Sequence, residues 1–274
     1  MLQGRTALVT GSTQGIGLAI ARALAQAGAQ VVVHGIEDAA QGAAIAAQLP
    51  TRSAYVRADL ARTGEAAGLV GAAAQALAPI DILVNNAGIQ HTAPIDGFAT
   101  ERWDAIIAIN LSAAFHTMKA AVPGMRERGW GRIVNIASVH GLVASVNKAA
   151  YLAAKHGLVG MSKGVALETA PQGITVNCIC PGWTDTVLIQ PGTYRGDVAV
   201  WLQQALEIRG IGPRPVLIAD GEVAEGKAIW VLRNGRFRIR NIEFRGARSP
   251  VGNASGIRFE RGTLDLADCV FEDN

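Results

Sequence analysis

The sequence predicts an α/β fold: a doubly wound parallel sheet over residues 1–190, lacking its usual C-terminal end, then a short β-rich segment over residues 191–274. Three observations carry this. Up to about Gln190, short apolar runs alternate with alanine-rich amphipathic stretches, the rhythm of strands crossing over through helices. A glycine-spaced turn, Gly11-Ser-Thr-Gln-Gly15-Ile-Gly17, directly follows the first apolar run. After Gln190 the composition breaks. Residues 1–190 hold 40 alanines and residues 191–274 hold 8, while the 24 charged residues of the first segment are matched by 23 in the much shorter second. Two segments of different architecture follow.

The runs 6–10, 30–34, 53–57, 80–85, 132–138 and 173–178 read as strands, and the stretches beginning near Ile16, Glu37, Gly64, Thr100 and Tyr151 as helices. Crossovers between parallel strands should be right-handed. In the second segment helical periodicity fades and an internal repeat appears. Phe237-Arg-Ile-Arg-Asn-Ile-Glu-Phe244 aligns without gaps with Leu264-Asp-Leu-Ala-Asp-Cys-Val-Phe271, and Ile229-Trp-Val231 with Ile257-Arg-Phe259. Repeats at this period signal stacked units. With glycine turns and recurrent Asn or Asp, the segment looks like coils of a right-handed parallel β-helix; a set of antiparallel hairpins is the alternative. Arg236, Arg238 and Arg240 alternate as on the solvent face of a strand.

Half of the chain is apolar and the formal net charge is +3, too small and too dispersed for a nucleic-acid surface. No apolar run reads as long enough to span a bilayer, and the start leads straight into a strand rather than a signal-peptide core. Cys178, Cys180 and Cys269 have neither metal-ligand spacing nor even pairing, so buried reduced thiols and no metal are expected. These features fit a cytoplasmic protein that meets a small molecule.

The chemistry lies in three clusters. Gly11, Gly15 and Gly17 close a strand–helix turn of Rossmann type, where backbone amides and a helix N-terminus can approach a diphosphate. A 2′-phosphate on the ribose would want Arg or Lys close by. The turn instead carries Thr13-Gln14, and the second strand is followed by His34-Gly-Ile-Glu37-Asp38, which favours NAD over NADP. Tyr151 and Lys155 stand four apart and share a helix face. A phenol with an ordinary pKa of about 10 is a poor base near neutrality, and a cation one turn away together with a positive nicotinamide ring should lower it. Ser138 places a hydroxyl just past a buried strand. Asp59, taken alone, reads as a helix cap.

Together these residues, with Asn85-Asn-Ala-Gly88, resemble the short-chain dehydrogenase/reductase family, in register from about Leu2 to Gln190. The resemblance implies that Ser138 holds the substrate oxygen, that Tyr151 is the acid/base, and that Lys155 also bonds the nicotinamide ribose. Asn110 would hold a proton-relaying water. It implies a cofactor set of Gly11, Thr13, Gly15, Ile16, Gly17, Asp59, Leu60, Asn86, Ala87, Gly88, Tyr151, Lys155, Pro181 and Gly182. Gly88-Ile-Gln-His-Thr-Ala-Pro94, Ser138-Val-His-Gly-Leu-Val-Ala144 and Cys180-Pro-Gly-Trp183 are similar to the branch of that family acting on 3-hydroxybutyrate. On that likeness Gln90, His140, Lys148 and Gln190 bind the substrate carboxylate and Trp183 walls its methyl end. Another small hydroxy acid or ketone is the alternative substrate, and a carbohydrate-binding β-helix protein the alternative class. The family is usually homo-oligomeric, but past Gln190 its interface end, its covering segment and its last strand are replaced. An open sheet edge at 174–178 and slowed turnover are therefore expected.

Overall fold

A computed structural model describes residues 1–182, 214, 216–219, 228–248 and 255–273, with strand placement alone for 193–195, 199–201 and 205–209. By its contacts the chain divides into two compact units: Met1–Ala137 with Ala149–Cys180, and Ser138–Lys148 with Pro181–Asn274.

In the first unit, six strands form one parallel sheet: β1 (Thr6–Val9), β2 (Gln30–Gly35), β3 (Ser53–Arg57), β4 (Ile82–Asn85), β5 (Gly131–Ile136) and β6 (Ile174–Ile179), in the order β3-β2-β1-β4-β5-β6. Leu8 pairs with Val32 on one side and Leu83 on the other. The strand order reverses beside β1, so the loops leaving β1 and β4 lie together, the usual place for a ligand on such a sheet. The helices are α1 (Gly15–Gln26), α2 (Ala39–Ala46), α3 (Thr63–Ala76), α4 (Thr100–Ile107), α5 (Ala113–Glu127) and α6 (Ala149–Thr169). Side chains alternate across the strands. Leu8, Val32, Leu83 and Ile133 enter one core with Leu69 and Met118, and Ala7, Val9, Val31 and Val84 enter another with Ala21 and Ala25. That is why these strands read as continuous apolar runs rather than alternating ones.

One feature departs from expectation, and one follows it. A π turn at Ala108–Ser112 joins α4 to α5, giving one helix from Thr100 to Glu127 that is long and apolar enough to cross a membrane by length and composition. Ala113, Thr117, Met118, Ala121 and Met125 on that helix are buried. The edge strand β6 pairs only with β5 among the described residues. Val216–Ile218 pairs with Thr193–Arg195 and Glu243–Arg245.

The second unit is built from β7 (Thr193–Arg195), β8 (Ala199–Trp201), β9 (Ala205–Arg209), β10 (Val216–Ile218), β11 (Ala228–Arg240), β12 (Glu243–Arg245), β13 (Ser255–Ala267) and β14 (Val270–Glu272), all paired in parallel. Phe237 lies opposite Leu264 and Phe244 opposite Phe271, the register of the sequence repeat. The upstream half of the repeat needs a one-residue correction. Ile257 faces Trp230, not Ile229. The position opposite Ile229 is Gly256, where a Cβ would come within 2.6 Å of Phe244 and 2.8 Å of Phe271. The corners repeat too: left-handed backbone occurs at Asn234 and Arg261, at Asn241 and Asp268, and at Gly246 and Asp273. Asn and Asp tolerate this conformation best after Gly, which accounts for their recurrence. Arg236 and Arg238 are exposed while Phe237 and Ile239 are buried, as the alternation predicts. Phe237, Phe244, Ile229 and Leu217 form the core, and Val139 and Val143, from the segment Ser138–Lys148, belong to the same apolar cluster.

Candidate active site

The glycine turn is locked from three sides. Gly11 and Gly15 adopt left-handed backbone, at φ 59° and 54°. Asn86 Nδ2 donates to the carbonyls of Thr10 and Gly11, both at 3.0 Å, while Thr10 Oγ1 accepts from the amides of Asn86 (2.9 Å) and Ala87 (3.0 Å). From β2, His34 Nδ1 accepts the Gly11 N–H at 3.0 Å. Gly17 approaches so closely that a Cβ there would stand 2.2 Å from the Gly11 carbonyl oxygen. Helix α1 has no side-chain cap at Gln14, so the amides of its first turn, including Ile16, remain available to an anion.

Of the two carboxylates after β2, only Glu37 turns to this loop. It accepts from Thr13 Oγ1 at 2.8 Å, and its second oxygen is buried without a hydrogen-bond partner. Asp38 instead caps α2 by accepting from the Gln41 amide at 2.8 Å. Asp59 also makes local bonds: its Oδ1 accepts from the Ala61 amide, and its own amide donates to Glu65. Leu60 sends its side chain into the core.

Lys155 and Asn110 converge near Gly88. A Cβ on Gly88 would lie 3.4 Å from Asn110 Oδ1 and 3.6 Å from Lys155 Nζ. Asn110, on the π turn, bonds both the amide and the carbonyl of Ile89 at 2.8 Å. Lys155 is buried, donates to the Ile136 carbonyl at 2.8 Å, and holds its ammonium 5.6 Å from the centre of the Tyr151 ring. Burial brings its pKa down to about 8, opposed by the thiols of Cys178 and Cys180. Those cysteines and Cys269 form no disulfide and are half-buried rather than fully buried. Among the described residues no His, Cys, Asp and Glu cluster is suited to a metal.

The segment Ser138–Lys148 belongs to the second unit. Ser138 follows β5 by two residues and caps a short 3-10 turn, its Oγ accepting from the His140 amide at 3.1 Å and lying 3.4 Å from His140 Nδ1. The Val139 amide donates to the Pro181 carbonyl at 2.8 Å, and Gly182 follows directly. Lys148 is buried and immediately precedes α6, which starts at Ala149 after a left-handed Asn147. Gln90 is exposed beyond β4. Trp183 and Gln190 lie outside the described residues.

Sequence reasoning missed two buried groups. Thr117, Asn85, Asn135 and Ser162 form a hydrogen-bonded chain from α5 through β4 and β5 to α6, with links of 2.7–2.8 Å. An Asn inside the apolar run 132–138 was the available signal. His34 is the other. Burial pushes its imidazole down to about 4, while the Ala58 carbonyl and the Glu37 carboxylate favour the charged form. The unfolded imidazole titrates near 6.5, so between pH 6.5 and 4 the unfolded chain binds more protons. Stability from this group is complete above 6.5 and falls as pH drops towards 4, by on the order of 3 kcal/mol. Urea unfolding at a series of pH values should show that loss in the wild type and a smaller one in His34→Gln. Parallel curves would remove His34 as its source.

The family model for short chain dehydrogenases matches residues 5–193. The chain is 56% identical over 192 residues to D-beta-hydroxybutyrate dehydrogenase of Cupriavidus necator, covering 69% of this chain and 74% of that protein. It is 49% identical over 190 residues to the enzyme of the same name from Rhizobium meliloti, covering 68% and 74%. Among solved structures it is similar to a putative short-chain alcohol dehydrogenase from Sinorhizobium meliloti, with 37% identity and a TM-score of 0.65 over 69% of this chain and 76% of that one. With a six-stranded parallel sheet, a glycine turn at its switch point and a Tyr/Lys pair on α6, the chain belongs to the short-chain dehydrogenase family.

Proposed function

We propose that the protein interconverts 3-hydroxybutyrate and acetoacetate with NAD. The observation that carries the cofactor reading is the Glu37 carboxylate, held against Thr13 with one oxygen unpartnered. A ribose hydroxyl can donate to that oxygen, whereas a 2′-phosphate would meet its charge. Bound NAD would supply the hydride acceptor. The first-turn amides of α1 would hold its diphosphate, Gly88 leaves room beside Lys155, and Asp59 and the Leu60 backbone would face its adenine.

Tyr151 would take the hydroxyl proton as the alcohol is oxidised and return it on reduction. Lys155 is charged below a pH of about 8 and favours the phenolate. Asn110 would pass the proton outward through water. The assignments of Ser138 to the substrate oxygen, of Gln90, His140, Lys148 and Gln190 to the carboxylate, and of Trp183 to the methyl end rest on the likeness to the hydroxybutyrate dehydrogenases. On the same reading the enzyme is soluble and cytoplasmic and meets neither nucleic acid nor membrane; its family is usually homo-oligomeric, but the interface end of the domain is replaced here. The exposed Phe115 and Leu167 on α5 and α6 suit a subunit contact.

Two measurements test this. Calorimetry is expected to show NAD binding at least about tenfold tighter than NADP, the equivalent of ~1.4 kcal/mol from a carboxylate facing a phosphate. Tighter NADP binding would reject the preference. Lys148→Ala and His140→Ala should each raise the KM for 3-hydroxybutyrate by about 10–100-fold and leave that for NAD within about twofold, since each removes a charged or polar contact to the carboxylate. Equal effects on both KM values would point to a different substrate.

A further inference from the structure

We propose that His34 is a positioning residue for the dinucleotide, a neutral strut whose ring joins the glycine turn to the loop carrying Asp59 and Leu60. The inference rests on the NAD reading and adds to it a residue that touches no cofactor. His34 stands on β2 and is only 2% exposed. Its Nδ1 accepts the Gly11 N–H at 3.0 Å, and its Nε2 meets the Ala58 carbonyl at 3.2 Å. These partners dictate the tautomer. An amide can only donate and a carbonyl can only accept, so Nδ1 is bare and Nε2 carries the hydrogen.

The ring therefore bonds one backbone group in each cofactor-facing loop. Gly11 heads the turn beneath the diphosphate site, and Ala58 immediately precedes Asp59. Neither bond is part of the sheet ladder, because β1 and β2 pair through Thr6–Val9 and Gln30–Val33. The main chain of His34 is held separately: its carbonyl accepts the Ser12 amide at 2.8 Å, its amide donates to Ser12 Oγ at 3.0 Å, and Ser12 Oγ donates to the Val9 carbonyl at 2.6 Å. Removing the ring thus leaves the strand in place, with Asn86 still on the turn and the Gly35 carbonyl still on the Ala58 amide. It takes away the one side-chain bond that each loop receives from β2. A protonated ring would aim a second hydrogen at the Gly11 N–H, so the strut works only in its neutral form.

The test is calorimetric titration of the full chain with NAD, well below each variant's melting temperature, for wild type, His34→Leu and His34→Gln. Leucine leaves the half-buried Gly11 N–H and the buried Ala58 carbonyl without the ring, whereas glutamine offers one acceptor and one donor. We expect about a tenfold or greater loss of NAD affinity in His34→Leu and recovery to within about threefold of wild type in His34→Gln. If His34→Leu does not fold, His34→Asn, whose shorter amide reaches one loop only, should show an intermediate loss. Wild-type affinity in His34→Leu, or in His34→Asn where that variant replaces it, would overturn the proposal and leave the NAD reading standing. An equal loss in His34→Gln and His34→Leu would overturn it as well. Absence of NAD binding in the wild type would overturn both.

Discussion

Tyr151→Phe is expected to lower turnover of 3-hydroxybutyrate by about 10³-fold while leaving the dissociation constant for NAD within about threefold. A positioned acid or base contributes about 10²–10⁴-fold to such a reaction. The substitution removes one hydroxyl and leaves the ring, its place on α6 and the buried Lys155 beneath it. Lys155→Ala should behave differently. It would leave the Ile136 carbonyl without its 2.8 Å donor and take away the cation beside Gly88, so both binding and turnover should suffer. The folded pKa of Lys155, about 8, lies below the unfolded value of 10.5. The unfolded chain therefore binds more protons between pH 8 and 10.5, stability rises with pH across that window, and at neutrality the charge is carried at a cost to the fold. A lysine kept buried at such a cost is consistent with a role in the reaction. Single-turnover kinetics alongside fluorescence titration of NAD separates the two variants. Substantial turnover by Tyr151→Phe would remove it as the acid/base.

Gly17→Ala is expected to weaken NAD binding by more than about 100-fold and to lower the melting temperature. Alanine would ordinarily stabilise a helix by roughly 1 kcal/mol over glycine. Here the added carbon would lie 2.2 Å from the Gly11 carbonyl oxygen and 2.5 Å from Asn86 Nδ2, the very groups that hydrogen-bond to close the turn. Relief requires α1 to withdraw or the turn to open. Overpacking of this kind costs about 1–3 kcal/mol and outweighs the propensity gain. Gly68→Ala on α3 is the control, because nothing lies within 4 Å of its added carbon. It should keep full NAD affinity and gain up to ~1 kcal/mol in urea unfolding. Unchanged NAD affinity in Gly17→Ala would show that the turn does not carry the cofactor.

Features written in local period were legible in the sequence. The first-unit strands fall within two residues of their expected positions, because buried parallel strands are short apolar runs ended by glycine or polar residues. The glycine turn and the Tyr151/Lys155 pair depend on spacings of a few residues, which the chain displays directly. The downstream repeat also gave its pairing register, since Phe237 stacks on Leu264 and Phe244 on Phe271.

What the sequence left open were choices among partners far apart in the chain. Glu37 and Asp38 are adjacent carboxylates, yet one bonds Thr13 across the switch point and the other caps its own helix. The left-handed Asn147 just ahead of α6 is another feature that no spacing announces. The slip between Ile229 and Ile257 was settled by Gly256, where two phenylalanines leave no space for a side chain. His34 is one more polar residue after an apolar run in the sequence, whereas the fold sets Gly11 and Ala58 on either side of its ring. Periodicity along a chain reports which face a residue takes, because that follows from its own backbone. Hydrogen-bond partners, close backbone approaches and the burial that moves a pKa depend on atoms brought in by other elements, and only the tertiary structure decides those.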